Sequence, residues 1–196
     1  MLLLSARGLS TACVLSILAW FPVSLEAGGL PPGVPASQHY RSEHWTVDSG
    51  LPYNRVTAAV QSPDGFLWLG LGAGLVRFDG IDFKPVPWPV EGPLPYIRKL
   101  MLSKDGAVWI GTRGQGCFLA KNGSILPWEG NSLLASKDIR SLLQTRDGSI
   151  WIGSANQLVR YREGRTELVY PNDKYPKTRA CHSLLEDGDS AVYAGT

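Results

Sequence analysis

Short apolar runs separated by turn sequences follow one another along most of the chain. Residues 56–61 form a run rich in Val, Ala and Thr, residues 62–65 (SPDG) form a turn, and residues 66–70 (FLWLG) form a second run. A glycine-rich link leads to residues 75–78, and an Asp-Gly pair turns the chain into residues 81–86. Asp-Gly pairs are typical of tight hairpins, because glycine adopts a positive φ without steric cost. The pattern predicts four short antiparallel strands.

The same pattern recurs along the chain. Its shared motif is an acidic turn, an apolar run around one aromatic residue and a closing glycine, found at residues 64–70 (DGFLWLG), 105–111 (DGAVWIG), 147–153 (DGSIWIG) and, in degenerate form, 189–195 (DSAVYAG). The aromatic members, spaced 41, 42 and 42 residues apart, are Trp68, Trp109, Trp151 and Tyr193. Four-stranded antiparallel units of this length are the size of a propeller blade. The sequence therefore predicts an all-β fold, a segment of a β-propeller.

The repeat register divides the chain into units. We predict an orphan outer strand at 40–47, whole blades at 48–88, 89–128 and 129–170, and half of a fourth blade at 171–196. The orphan strand is inferred because Trp45 lies 11 residues before Val56, as Trp128 lies 11 before Ile139. In a closed propeller, such a strand completes the last blade with strands from the far C-terminus. We therefore expect the chain to be part of a longer protein.

The N-terminus resembles an export signal. Arg7 is followed by a stretch, residues 8–25, with no charged residue before Glu26, and small residues follow at Ala27 and Gly28. This order is typical of a secretory signal peptide, predicted here at 1–27 with a linker at 28–39. An uncleaved membrane anchor is the alternative, although the apolar stretch is marginal in length for spanning a bilayer. Either way, the remainder is expected to be exported.

Charge and cysteine content narrow the function classes. Lys and Arg number 19 against 17 Asp and Glu, a net charge of +2 that argues against a nucleic-acid partner or a polybasic membrane surface. Membrane contact is expected only through the signal or anchor, or through a helix further downstream. Cys117 and Cys181 occupy apolar slots of the repeat, so we expect both to be buried and unpaired.

Residues that recur in every unit are interpreted as scaffold. They are Trp68, Trp109, Trp151, Tyr193, Asp64, Gly65, Asp105, Gly106, Asp147, Gly148, Gly70, Gly111 and Gly153. A constant place in the repeat favours core packing for the aromatic residues and turn formation for the Asp-Gly pairs. The histidines, His39, His44 and His182, have no neighbour at metal-ligand spacing. We predict no catalytic residue, no metal site and no cofactor.

A ligand requires different groups at one face, so binding is expected where the repeats differ. The links between second and third strands and the connections between blades open on the same face of a propeller, and exposed loops commonly carry binding residues. The candidate ligand-binding residues in the links are Arg113, Gln115, Asn156 and Gln157. Further polar candidates in the connections are Glu91, Tyr96, Arg98, Lys137, Asp138, Asn172, Lys174 and Tyr175.

These residues resemble a known repeat family. Residues 50–52 (GLP), 61–70 (QSPDGFLWLG) and 74–80 (GLVRFDG) are similar to the two-component regulator propeller repeat, as are residues 109–116 (WIGTRGQG) of the second unit. The resemblance implies a periplasmic sensor region that precedes a membrane helix and a cytoplasmic histidine kinase or diguanylate cyclase. It also implies a small-molecule or oligosaccharide ligand, a homodimer of the full-length receptor, and tethering to the inner membrane.

Two classes of function follow from the sequence. The favoured one is the extracytoplasmic ligand- or signal-sensing propeller portion of a two-component-type receptor, with no enzyme activity in this segment. The alternatives are an exported propeller enzyme, such as a polysaccharide lyase or hydrolase, and a scaffold for protein–protein contacts. A converging cluster of acids, bases or metal ligands on the loop face would favour the enzyme, and the sequence shows none.

Overall fold

The computed structural model describes residues 43–121, 123–171 and 179–196. All of them belong to one unit, Glu43–Thr196. The predicted signal peptide at 1–27, the linker at 28–39 and the candidates Asn172, Lys174 and Tyr175 lie outside the described residues. In the part of the chain that is described, no helix combines the length and apolar character needed to cross a bilayer.

The described residues form antiparallel sheets of consecutive strands. Blade 1 contains β1 (Val56–Gln61), β2 (Leu67–Leu71), β3 (Gly74–Phe78) and β4 (Phe83–Pro85). Blade 2 contains β5 (Tyr96–Leu102), β6 (Val108–Arg113), β7 (Cys117–Lys121) and β8 (Ser124–Pro127). Blade 3 contains β9 (Ile139–Gln144), β10 (Ile150–Ser154), β11 (Leu158–Arg162) and β12 (Arg165–Tyr170). A two-stranded sheet follows, β13 (Ser183–Glu186) and β14 (Val192–Gly195). The predicted all-β propeller segment of four-stranded blades is confirmed.

The first strands of successive sheets lie side by side. β1 contacts β5, β5 contacts β9, and β9 contacts β13. Hydroxyl groups connect neighbouring first strands, since Thr57 Oγ1 donates to the carbonyl oxygen of Ile97 at 2.5 Å and Ser141 Oγ donates to that of Cys181 at 2.9 Å. First strands are therefore the inner strands of the propeller, and the fourth strands lie at its outer side.

The closing glycine of each motif makes room for the next blade. A Cβ at Gly70 would lie 2.5 Å from Cγ2 of Ile97, and one at Gly111 would lie 2.7 Å from Cγ2 of Ile139. At Gly153 a Cβ would collide with Ser141 and Cys181. Two carbon atoms that are not bonded to each other cannot lie 2.5 or 2.7 Å apart. The inner strand of the next blade therefore approaches too closely for any residue but glycine near the end of each second strand.

A second series of aromatic residues packs each unit against the third strand of the following sheet. The ring of Trp88 lies 4.5 Å from that of Phe118, and the ring of Trp128 lies 5.7 Å from that of Tyr161. Trp45 makes the equivalent contact to Phe78 in blade 1, at 5.2 Å. The sequence register that placed Trp45 in this series therefore corresponds to a real packing position.

The predicted orphan strand at 40–47 differs from the structure where it can be compared. Residues 43–46 are in no strand, and Val47–Ser49 form a 3-10 helix closed by Gly50. A strand forms only where a neighbouring strand pairs its backbone groups, and none of the described strands pairs with this segment. Residues 40–42 lie outside the described part of the chain.

Apolar side chains fill the space between sheets. One cluster joins Trp109 and Cys117 of blade 2 to Ile139, Ile152 and Val159 of blade 3. Cys117 and Cys181 are both free and buried, which confirms the prediction of unpaired core thiols. Burial raises the pKa of the Cys117 thiol to about 12, because the thiolate would be desolvated.

Candidate functional site

The Asp-Gly turns lie at the end of the sheets where the first strand passes into the second. Trp68 Nε1 donates to Ser62 Oγ at 2.9 Å, and that hydroxyl also contacts the carboxylate of Asp64. Blade 3 repeats the arrangement, since Trp151 Nε1 lies 3.3 Å from the Thr145 hydroxyl, which donates to Asp147 at 2.6 Å. These contacts close turns and connect them to the indole rings.

The carboxylates of these turns are also neutralised from the third strand. Asp64 pairs with Arg77 at 2.8 Å, and Asp105 pairs with Lys121 at 2.6 Å. The hydrogen bonds from Lys121 and then from Ser103 lower the pKa of Asp105 to about 2. Asp147 has a lowered pKa for similar reasons, beginning with the hydrogen bond from the Thr145 hydroxyl. Each carboxylate is held ionised by its own blade.

Two of the four candidate ligand residues are engaged in holding loops. Gln115 accepts a hydrogen bond from Trp88 Nε1 at 2.7 Å and donates one to the carbonyl of Pro93 at 3.3 Å. Gln157 is buried and accepts a hydrogen bond from the backbone N–H of Ala135 at 2.5 Å. Because both amides connect a strand link to the preceding connection between blades, they have few groups left for a ligand.

The other two candidates differ from each other. Asn156 lies in the link between β10 and β11, where its Oδ1 is 3.4 Å from the hydroxyl oxygen of Ser154. Arg113 has an exposed side chain, and its backbone forms a bridge with Asp138. Arg113 is therefore the candidate that presents an exposed charged group next to the start of the inner strand β9.

The structure brings a different set of residues together at the same face. A groove of about 400 Å³ lies where the inner strands begin, and its walls are mostly polar. The residues that line it are Arg55, Val56, Thr57, Tyr96, Arg98, Lys99, Arg140 and His182. Tyr96 and Arg98 are among the candidates that the sequence predicted in the connections between blades. The sequence analysis did not identify Arg55, Lys99, Arg140 or His182 as candidates.

Backbone bulges present these residues. The pairing of β1 with β2 shifts between Val56 and Ala58, which leaves Thr57 out of register. The pairing of β5 with β6 shifts between Ile97 and Lys99, and β9 has the same irregularity at Arg140. A bulge leaves one residue unpaired and changes the direction of its side chain. The residue at this position, near the start of the first strand, is therefore left out of the regular strand pairing in all three blades.

One carboxylate joins the arginines of neighbouring blades. Asp138 Oδ1 lies 2.6 Å from Arg98 Nε, and Asp138 Oδ2 lies 3.1 Å from an Nη atom of Arg140. Arg140 also approaches His182, with 3.2 Å between its other Nη atom and Nε2. The groups that differ between blades are therefore connected across three successive inner strands.

Two further cations at the groove have no acidic partner among the described residues. Arg55 lies over the ring of Tyr96, 5.3 Å from its centroid, and the guanidinium of Arg98 lies 5.8 Å from the same ring. Neither Arg55 nor Lys99 forms an ion pair with another described residue. The described chain also has no group of three or more His, Cys, Asp and Glu that could hold a metal ion.

The sequence contained a signal for this site, although it was weak. Positions 57, 98, 140 and 182 share one place in the repeat and hold Thr, Arg, Arg and His. A repeat position that holds different polar residues, next to a position that is always apolar, indicates that packing of the blades does not determine which residue is found there. Only the bulges, which depend on strand pairing, show that these side chains reach a common groove.

Comparison with known proteins finds a family that two of the repeats resemble. The family model described as two component regulator propeller matches residues 50–72, which contain β1 and β2 of blade 1, and residues 133–156, which contain β9 and β10 of blade 3. These two segments are therefore similar to the two-component regulator propeller repeat. No protein of curated function matches the sequence.

Solved structures share the fold of this propeller segment. The extracellular domain of a protein described as a hybrid two-component system from B. thetaiotaomicron has a TM-score of 0.66 at 18% identity, over 78% of this chain and 23% of that one. A second such extracellular domain has a TM-score of 0.63 at 21% identity, over 74% of this chain and 21% of that one. Virginiamycin B lyase from Staphylococcus aureus has a TM-score of 0.53 at 12% identity, over 74% of this chain and 57% of that one. The chain thus spans about a fifth of the first two structures.

Proposed function

We propose that this chain is the sensing propeller of an exported two-component-type receptor. The observation that carries the proposal is the match of its repeats to the two-component regulator propeller model in two separate blades. The similarity in fold to extracellular domains of hybrid two-component systems supports it, as does the predicted signal peptide at 1–27. Tethering to the inner membrane, an output kinase or cyclase and a homodimeric receptor belong to the same proposal.

The groove at the inner strand ends is the sensing site of this proposal. Residues that recur in every blade, such as Trp109 and Gly111, pack between blades and are not available to a ligand. The groove instead collects residues that differ from blade to blade, on the face where loops open to solvent. Ligand binding there would connect several inner strands at once and so change how neighbouring blades are held.

The sensing role is tested in the source bacterium. The coding region for residues 43–196 is deleted in frame from the chromosomal gene, and transcripts are sequenced during growth on a panel of single carbon sources. A receptor predicts that the deletion abolishes induction of at least one gene set on at least one source. Restoration by the wild-type gene is the control. Identical transcript profiles on every source would contradict the proposal.

The enzyme alternative is tested with the purified protein. The full chain is incubated with a panel of neutral and acidic polysaccharides, and the products are separated by size. A sensing propeller predicts that every polymer keeps its size distribution. Release of unsaturated or reducing oligosaccharides would support a lyase or a hydrolase instead. The scaffold alternative predicts an unchanged transcriptome together with co-purifying exported proteins.

A further inference from the structure

We infer that the groove binds a small ligand through an anionic group, a carboxylate, sulfate or phosphate. Its cations are Arg55, Arg98, Lys99 and Arg140, and the acid that faces them is Asp138. Four cations against one carboxylate leave a formal excess of three positive charges in one groove. This inference rests on the proposed function in one respect, that the bound anion is the signal which the receptor senses.

The shared carboxylate cannot satisfy the arginines on either side of it. A guanidinium carries five N–H donors, and a carboxylate accepts bonds through two oxygens. Asp138 therefore pairs with one edge of Arg98 and one edge of Arg140, and further donors of both remain available. Guanidinium groups match the oxygens of carboxylates, sulfates and phosphates in a forked geometry. An anion between the blades would use these remaining donors.

The unpaired cations strengthen this preference. Arg55 and Lys99 are exposed at the groove and have no acidic partner in the described chain. Like charges gathered in a groove repel one another, and a bound anion relieves that repulsion. The centroid of the Tyr96 ring lies 5.3 Å from the guanidinium of Arg55 and 5.8 Å from that of Arg98, so this ring helps to orient both arginines. Recognition at this groove therefore depends on charge more than on ring stacking.

The excess charge is local, which favours a small anion over a long polyanion. Several cations elsewhere in the described blades are paired with acids, namely Arg77 with Asp64, Lys84 with Asp79, Lys121 with Asp105 and Arg160 with Asp147. The whole sequence carries a net charge of only +2. A groove of about 400 Å³ lies within the usual range for small-molecule sites. The ligand is expected to fit one groove instead of a charged stripe.

The test uses the purified full chain and three probes, citrate, inorganic sulfate and inorganic phosphate. Binding is measured by titration calorimetry at low ionic strength for the wild type, Arg55→Gln, Lys99→Gln and the control Arg165→Gln. Arg165 is an exposed cation at the start of β12, outside the groove. We expect saturable binding of at least one probe, weakened about tenfold by either groove variant and unchanged by the control. Which probe binds most tightly distinguishes a carboxylate ligand from a sulfate or phosphate ligand.

The contrary results are equally specific. If none of the three probes shows saturable binding, or if Arg55→Gln and Lys99→Gln bind as the wild type does, the anion site is excluded. The variant Arg55→Gln could lose anion binding while cells that carry it keep a normal transcriptional response. That result would support the anion site and would show that it has no part in signalling. Loss of response after deletion without anion binding would support the receptor and overturn this inference.

Discussion

Single residues of this propeller are constrained by the blade that follows them in the chain. Gly111 illustrates this, since it ends the apolar run of β6 and lies directly against Ile139 of β9. The sequence predicted Gly111 as scaffold from its recurrence alone. The physical reason, lack of space for a Cβ, required the position of a strand almost thirty residues further along the chain.

Replacement of Gly111 by alanine is expected to destabilise the protein by about 1–3 kcal/mol, because the new Cβ would lie 2.7 Å from Ile139 Cγ2. The measurement is urea denaturation followed by tryptophan fluorescence. Gly188→Ala is the matched control, since nothing lies within 4 Å of a Cβ there. The effect should shrink in the double variant Gly111→Ala with Ile139→Ala. Equal stability of both single variants would refute the packing argument.

The Asp105 carboxylate makes stability depend on acid. Its pKa is lowered to about 2, so its ionised form favours the folded state. That contribution is fully present above about pH 4, the region of an unperturbed carboxyl, and is lost as the pH falls through about 2.

Asp105→Asn should therefore lower the urea midpoint at pH 7, and the difference from the wild type should disappear near pH 2. Urea curves at four pH values between 2 and 7 measure this. Asp189→Asn, at an exposed turn of the fourth repeat, is the control. A difference that stays constant over the whole range would show that the carboxylate charge is not responsible.

At the scale of elements, the aromatic residue after each blade fastens one sheet to the next. Trp128 follows β8 and packs against Trp109 of its own blade and Tyr161 of blade 3. Trp45 holds the same repeat position but is 41% exposed, whereas Trp128 is 2% exposed. The spacing identified this series correctly, but burial depends on which neighbours cover each ring.

Trp128→Ala should cost about 3–5 kcal/mol, as expected for a large side chain removed from a core. Trp45→Ala should cost much less, because a large part of that ring already contacts water. Thermal and urea unfolding of the two variants provide the comparison. Similar losses for both would indicate that burial between blades does not determine the contribution of these residues.

At the scale of the whole molecule, the two thiols report whether blades separate. Cys117 lies inside the core between blades 2 and 3, and Cys181 precedes β13 against the end of blade 3. Both are almost inaccessible, at 0% and 1%. Their labelling by iodoacetamide should be negligible in buffer and should rise with urea along the global unfolding curve.

Mass spectrometry separates the two thiols, because trypsin cleaves after Arg113 and Lys121 around Cys117, and after Arg179 before Cys181. Cys13, in the predicted signal, falls in a different peptide. Rapid labelling of Cys117 in buffer would mean that the blades open without unfolding. The described propeller segment would then be less rigid than its packing indicates.

The sequence alone determined the blades, their period, the hairpin turns and the buried thiols of this protein. It could do so because each depends on local alternation, on glycine in turns, or on recurrence at a fixed spacing. Only the tertiary structure decided which polar groups meet. The loop glutamines Gln115 and Gln157 are used to hold loops, while bulges at Arg98 and Arg140 turn those side chains into one groove. Bulges and contacts between blades arise from the pairing of distant strands, which no local pattern in the chain records.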